Sequence, residues 1–521
     1  MSVDRSRAAA VLIGSGILLS RIAGLVRQKV FAHYFSTSLA ADAFNAAFRI
    51  PNMLQNMMGE GVLSASFIPT YAGLLARKQN EDADRVAGAV ISALALIASL
   101  LVVAGVLSAP LLVDLIAPGF DGEKRDLTVQ LTRILFPGAG LLVFSAWCLG
   151  VLNSHHRFFM SYVAPVAWNF ATIAALLFFG GRETQADLAV VLAWASVAGS
   201  FLQFVVQLPL VLRLAPGIRP NTRFESPDVR AVFRRFIPVF VGRGVVQISI
   251  FIDAFIASWL PTGAVAVVAY AQVLYTLPVS LFGAAVSAAE LPAMSGATGS
   301  AQEIAAYLRG RLDAGLARIA FYIVPSAIAF VALGDVLSSL LFESGRFTKS
   351  DTIWVWQVLA GSTIGLLAAT WGRLYSSTFY ALQDTHTPLR FAVIRVAINL
   401  ALGGFLAVYV PRALGIDPRT GVAGLTAASG IAAWIELYLL RRALTRRIGS
   451  TSLSRSYTLR LWAAGIFAAA VASAFRFVPV SGRSVVMGLI IVAVYGIAYF
   501  GSAAVLGIPE AVALRRRLLR R

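Results

Sequence analysis

Apolar runs of twenty or more residues recur from one end of this chain to the other. As a helix, a run of that length covers about 30 Å, the thickness of a bilayer's hydrocarbon core. About fourteen can be read, near 8–34, 39–76, 84–116, 127–152, 159–180, 187–213, 229–260, 264–295, 304–341, 351–382, 388–410, 420–445, 456–477 and 484–507. Composition agrees: 58% of the 521 residues are hydrophobic and 13% charged, against about 25% charged in a soluble protein. A soluble multi-domain enzyme, a disordered chain and a disulfide scaffold are excluded. The expected fold is an all-α polytopic membrane protein.

Charge is the second constraint. Lys and Arg number 44 against 25 Asp and Glu, a net charge of +19. In a soluble chain this would suggest nucleic acid, but in a membrane protein orientation and an anionic substrate come first. If the N-terminus is cytoplasmic, the even-numbered loops and the C-terminus should be basic. They are: the stretches 213–235 and 441–460, the triplet Arg309, Arg311 and Arg318, and the terminal RRRLLRR fall on that side. The bias is about threefold. Both termini are therefore expected in the cytoplasm, and nucleic acid is not an expected partner. Arg5 and Arg7 precede a first apolar run that contains Gly14, Ser15 and Gly16, which reads as an uncleaved span. The single cysteine, Cys148, reads as a buried thiol.

Catalytic patterns are missing. There is no G-x-x-x-x-G-K-[ST] loop, no H-E-x-x-H and no G-x-S-x-G. The histidines (His33, His155, His156, His386) lack partners at ligand spacing. Neither an enzyme nor a metal site is expected. The only cofactor left open is a coupling ion of unknown identity.

A weak internal repeat is present. Ile50-Pro51, Gly59, Gly61 and Phe67-Ile68-Pro69 correspond to Leu277-Pro278, Gly283 and Glu290-Leu291-Pro292. Val151–His156 likewise echoes Ala381–His386. Both offsets are six spans, which implies two pseudo-symmetric six-helix lobes with a site between them and two trailing helices. The expected divisions are 1–220, 221–450 and 451–521.

The first two spans carry Arg21, Arg27, Lys29, Asp42, Arg49 and Glu60. An arginine at the bilayer centre costs about 2.5–3.5 kcal/mol unless it meets water, a partner or a ligand. Arg27 and Lys29 snorkelling, or Arg49 pairing with Asp42 or Glu60, are the structural alternatives. As a cluster, these cations suit an anionic substrate, guanidinium forks matching phosphate oxygens. The seventh span adds Arg243, between Gly242 and Gly244, and Asp253; the eighth adds Glu290. Pro51, Pro137 and Pro278 should kink their spans, and Gly24 could let the first span bend.

Several blocks resemble one family. Ser20-Arg21 with Gly24 and Arg27, Ala41-Asp42-Ala43-Phe44, Phe48-Arg49-Ile50-Pro51-Asn52, Glu60-Gly61 and Ser66-Phe67-Ile68-Pro69 are similar to the MurJ (MviN) lipid II flippases. Ala117-Pro118-Gly119-Phe120, Leu152-Asn153-Ser154, the stretch 341–348 and the stretch 379–388 follow in the same order. The resemblance implies the fold of the multidrug/oligosaccharidyl-lipid/polysaccharide exporter superfamily, the last two helices forming a groove for a lipid tail. It implies transport of lipid-linked peptidoglycan precursor from the inner to the outer leaflet of the bacterial plasma membrane by alternating access. Lipid II, membrane lipids and cell-wall synthesis enzymes are the partners it implies.

Arg21, Arg27, Asp42, Asn52 and Glu60 fall on the family's cavity positions. The expected substrate-binding set is Arg21, Arg27, Arg49, Asn52 and Arg243, with Asp42, Glu60, Asp253 and Glu290 in coupling or gating. Gln55 stands where the resemblance implies an arginine and Gln272-Val273 where it implies Asp-Arg, and Arg243 is the expected replacement for one of the two missing cations. The competing functions are transport of another polyprenyl-linked glycan or small solute, and a non-transporting scaffold for cell-wall enzymes.

Overall fold

The computed structural model describes residues 3–451, 453–477 and 484–519, with the side chains of 3–14, 60, 238–239, 241–250, 477, 484 and 517–519 outside that description. Its long helices are α1 (Val3–Phe35), α2 (Leu39–Met58), α3 (Asn80–Leu107), α4 (Gly122–Ser154), α5 (Phe158–Phe179), α6 (Gln185–Leu214), α7 (Pro227–Ala257), α8 (Ala264–Ser295), α9 (Ala301–Phe342), α10 (Lys349–Ala381), α11 (His386–Leu414), α12 (Pro418–Ile448), α13 (Arg455–Ala474) and α14 (Val485–Val505). Among the described residues, eleven are long and apolar enough to cross a membrane. The fully described α2, with Asp42, Asn45, Arg49, Asn52, Gln55 and Asn56 inside it, is not among them. The long helices follow the apolar runs of the sequence in order. Gly24 lies in an unbroken α1, and a Cβ there would meet nothing within 4 Å.

The chain forms two compact units, Met1–Ala266 with Ser344–Arg346, and Val267–Glu343 with Phe347–Arg521. In the first, α4 is central and packs against α2, α3 and α6, while α5 lies between α6 and α1. The interior between α3 and α4 holds Phe67, Tyr71, Val90, Trp147 and the fully buried Cys148. In the second, α10 is central and packs against α8, α9 and α12, with α11 on α12. The order of packing is thus the same in both.

The helix ends repeat as well. After α4, His155 N–H donates to Val151 (3.1 Å) and Arg157 N–H to Leu152 (2.9 Å), with φ +58° at His156. After α10, Leu382 N–H donates to Thr378 (3.1 Å) and Asp384 N–H to Phe379 (2.9 Å), with φ +58° at Gln383. Both are left-handed caps of the kind glycine usually supplies. Asp384 then accepts from the Thr387 N–H (2.9 Å) and hydroxyl (2.7 Å) and from Arg447 (2.6 Å), tying the start of α11 to the end of α12.

Helices α13 and α14 are anchored on α9 by a ladder of tyrosines. Tyr457, Tyr499 and Tyr495 donate to the carbonyls of Ala317 (3.0 Å), Phe321 (2.6 Å) and Pro325 (2.7 Å), one helical turn apart. Pro325 has no N–H, so the Phe321 carbonyl loses its helical donor, and Tyr499 supplies another.

Two predictions follow from these contacts. Tyr499→Phe should destabilise the purified protein by about 1–3 kcal/mol in thermal denaturation, and by less in a Pro325→Ala background, where the helix recovers its own donor. The hydrogen bonds from Thr387 and then the Arg447 charge lower the Asp384 pKa to about 2. The stability this provides should be complete above the unfolded value of about 4 and lost as pH falls through about 2. Asp384→Asn should flatten the melting curve's pH dependence over that range.

Candidate functional site

The second expected span is discontinuous. Ser38 caps α2, Pro51 lies inside it, and the chain breaks at Gly59 and again at Phe67, leaving the short helices Glu60–Ser66 and Ile68–Ala76. A Cβ on Gly59 would collide with the Gln55 carbonyl oxygen, so the break requires glycine. Phe48, Asn52 and Gln55 share one face of α2 and, with Pro51, line a cavity of about 20 Å³ against Trp168 of α5 and Ser196 and Ser200 of α6. That is about the space one water needs. Broken helices with polar faces are tolerated in a membrane only against protein or a cavity.

Arg27 meets the same indole. Its guanidinium lies over the Trp168 ring at 4.9 Å, and its Nε donates to Asn169 Oδ1 at 3.2 Å. Asn169 in turn donates to the Pro165 carbonyl (3.0 Å), and Trp168 Nε1 to that of Ser196 (3.0 Å). The arginine is therefore held by a rigid wall with its Nη edge left over. Neither Trp168 nor Asn169 was a sequence candidate, although a polar Asn inside an apolar run just after Pro165 was the available signal.

Arg49 lies under the charge of Asp253 on α7, and not of Asp42. Arg21 is exposed on α1, nearly two turns before Arg27. Arg243 lies in α7 and Glu60 in Glu60–Ser66, but both side chains are outside the described residues.

Asp42 is elsewhere. It is completely buried in the first turn of α2, ion-paired to Lys124 Nζ at 2.6 Å, and accepts from the backbone N–H of Gly263 (2.7 Å) and Ala266 (2.8 Å). Lys124 is itself buried, 4.3 Å from the Phe120 ring centre. These residues form a clamp joining the starts of α2 and α4 to the turn after α7, apart from Arg27. Glu290, in the second unit, is 3% exposed and paired with Arg311 (2.6 Å) and Arg318 (3.4 Å). Gln272 donates to Thr276 on its own helix. Among the described residues, no group of three or more His, Cys, Asp or Glu side chains is placed to hold a metal.

Helices of this length around a desolvated guanidinium and a broken polar span define a polytopic all-α membrane protein of the transporter type. Comparison with known proteins gives the particular family. The family described as lipid II flippase MurJ matches residues 31–495. A probable lipid II flippase MurJ of Rhizobium tropici is 32% identical over 98% of this chain and 96% of its own. The lipid II flippase MurJ of Burkholderia cenocepacia is 34% identical over 84% of each. The fold is similar to a solved lipid II flippase MurJ in an inward closed conformation (TM-score 0.77, 22% identity, 95% of this chain and 98% of that one). It is also similar to an inward-facing multidrug resistance MATE transporter of the MOP superfamily (TM-score 0.63, 16% identity, 85% of this chain and 100% of that one). The chain belongs to the MurJ lipid II flippase family.

The Asp42 clamp makes its own prediction. Lys124→Met leaves a buried carboxylate without its cation and should cost about 3–5 kcal/mol. Asp42→Asn combined with Lys124→Met should cost less than Lys124→Met alone, read as thermal midpoint and folded yield.

Proposed function

We propose that this chain carries lipid II, an undecaprenyl-pyrophosphate-linked disaccharide-peptide, from the inner to the outer leaflet of the bacterial plasma membrane by alternating access. The observation that supports this reading best is Arg27, half-buried and braced by Trp168 and Asn169 beside the broken α2, in a chain of the lipid II flippase family. A guanidinium fixed along one edge presents its Nη atoms as a fork for pyrophosphate oxygens. Arg21, Arg49 and Arg243 add positive charge for the same anion, and Asn52 orients it. Asp42, Glu60, Asp253 and Glu290 couple or gate the change between states. The groove of α13 and α14 takes the polyprenyl tail.

Further assignments belong to the same proposal. The Lys and Arg bias of the loops supports cytoplasmic termini. The driving force is an ion gradient, the membrane potential or consumption of the product, since no nucleotide-binding loop occurs in the sequence. Cell-wall synthesis enzymes are the expected protein partners.

Gln55 and Gln272-Val273 favour a second reading, transport of a related polyprenyl-linked glycan with a less anionic head. Complementation of a strain depleted of its own lipid II flippase tests both. Wild type should restore growth, Arg27→Ala should abolish it, and Arg27→Lys should retain a fraction, because a point charge replaces a braced fork. Failure of a well-expressed wild type would favour the second reading. Undiminished growth with Arg21, Arg27 and Arg49 all replaced would sink transport and favour a scaffold.

A further inference from the structure

We propose that the second unit contains a separate binding site for the head of an anionic phospholipid, among α9, α10, α12 and the loop leading into α13. A cavity of about 370 Å³ opens there, within the range of small-molecule sites. Its walls are rigid aromatic rings. Trp371 and Trp434 meet edge to face with centres 6.5 Å apart, and each indole N–H is already used, on the carbonyls of Leu316 (3.1 Å) and Ile364 (2.7 Å). The ring faces are therefore presented to a ligand in fixed positions.

The other end is polar and cationic. The buried Tyr375 hydroxyl and Thr451 Oγ1 are 2.6 Å apart, and Arg441 Nη2 donates to the Thr451 carbonyl at 3.0 Å. Arg441 is exposed and enters no ion pair among the described residues. No lining residue is acidic, and Asp313, whose charge reaches Tyr375, is not part of the lining. The free edge of the guanidinium is thus available to a phosphate.

The order of groups along α12 identifies the ligand as a lipid. Trp434, Tyr438 and Arg441 fall on one helix face at i, i+4 and i+7, a rise of about 10 Å along the helix axis from the first to the last. Arg442, Arg446 and Arg447 continue the helix beyond them. Exposed aromatics followed by basic residues match the passage from acyl chain to headgroup phosphate at a membrane surface. Trp434 is 40% and Tyr438 61% exposed, so the mouth opens on the side a lipid would approach. The positive end opposes a choline head, despite the aromatic walls.

The test is native mass spectrometry of the full-length purified protein with dioleoylphosphatidylglycerol, dioleoylphosphatidylcholine or inorganic phosphate as the added probe. Phosphatidylglycerol should be retained in preference to phosphatidylcholine. Arg441→Gln should weaken its retention roughly fivefold. Tyr438→Ala, which removes a hydroxyl that makes no hydrogen bond among the described residues, should weaken it too, and guards against misfolding of the first variant. The Arg441→Gln effect should persist in an Arg27→Gln background, which separates this site from the proposed transport site. Unchanged retention in both pocket variants, equal retention of phosphatidylcholine, or loss of the Arg441 effect in the Arg27→Gln background would overturn the proposal. So would competition by inorganic phosphate as effective as by the lipid, since the ligand would then be the free anion.

Discussion

No water reaches the hydrocarbon core of a membrane, so every backbone group and every charge placed there needs a partner within the protein or a cavity of its own. The breaks in the helices show how the chain meets that demand. Pro325 frees the Phe321 carbonyl of α9, and Tyr499 of α14 donates to it at 2.6 Å. Pro278 is followed by a wider π turn over Val279–Ala284, and Gly283 lets α10 approach so closely that a Cβ would come 2.7 Å from Thr370. Pro51 and Gly59 interrupt the most polar span, where Asn52 and Gln55 face a small cavity rather than apolar packing.

Charge obeys the same rule. Arginines that read as an orientation signal turn out to serve structure as well: Arg311 and Arg318 neutralise the buried Glu290, and Arg447 holds Asp384. Within the helices, Arg395 pairs with Glu436. Partly exposed pairs of this kind add little net stability, but those with a buried carboxylate penalise arrangements that would leave it without its cation. Arg27 is different. Its neighbours are an indole and an amide, which orient a cation without neutralising it, and a site for an anion needs that combination.

Much of the fold was legible in the sequence. The apolar runs marked the helices, the second was set apart by its polar residues, and the echo between 151–156 and 381–386 fell where the structure has matching caps after α4 and α10. The candidate site was legible only in part. Arg27 and Asn52 were visible as polar residues in apolar context, and both border Trp168. Trp168 and Asn169 were not visible as their partners, because aromatic and amide residues in a span have many structural uses. Lys124 was missed because it lies at the start of α4, where a lysine ordinarily meets solvent.

By itself, then, the sequence determined the solvent this protein lives in, the number and order of its helices, and which helices would carry charge inside the membrane. Those properties depend on composition and periodicity along a single segment. Tertiary structure alone decided which charge meets which partner. Asp42 lies seven residues from Arg49 yet pairs with Lys124, while Arg49 answers to Asp253 on another helix. Helices far apart in the chain are brought together by side-chain packing over their whole length, and no local pattern records the result.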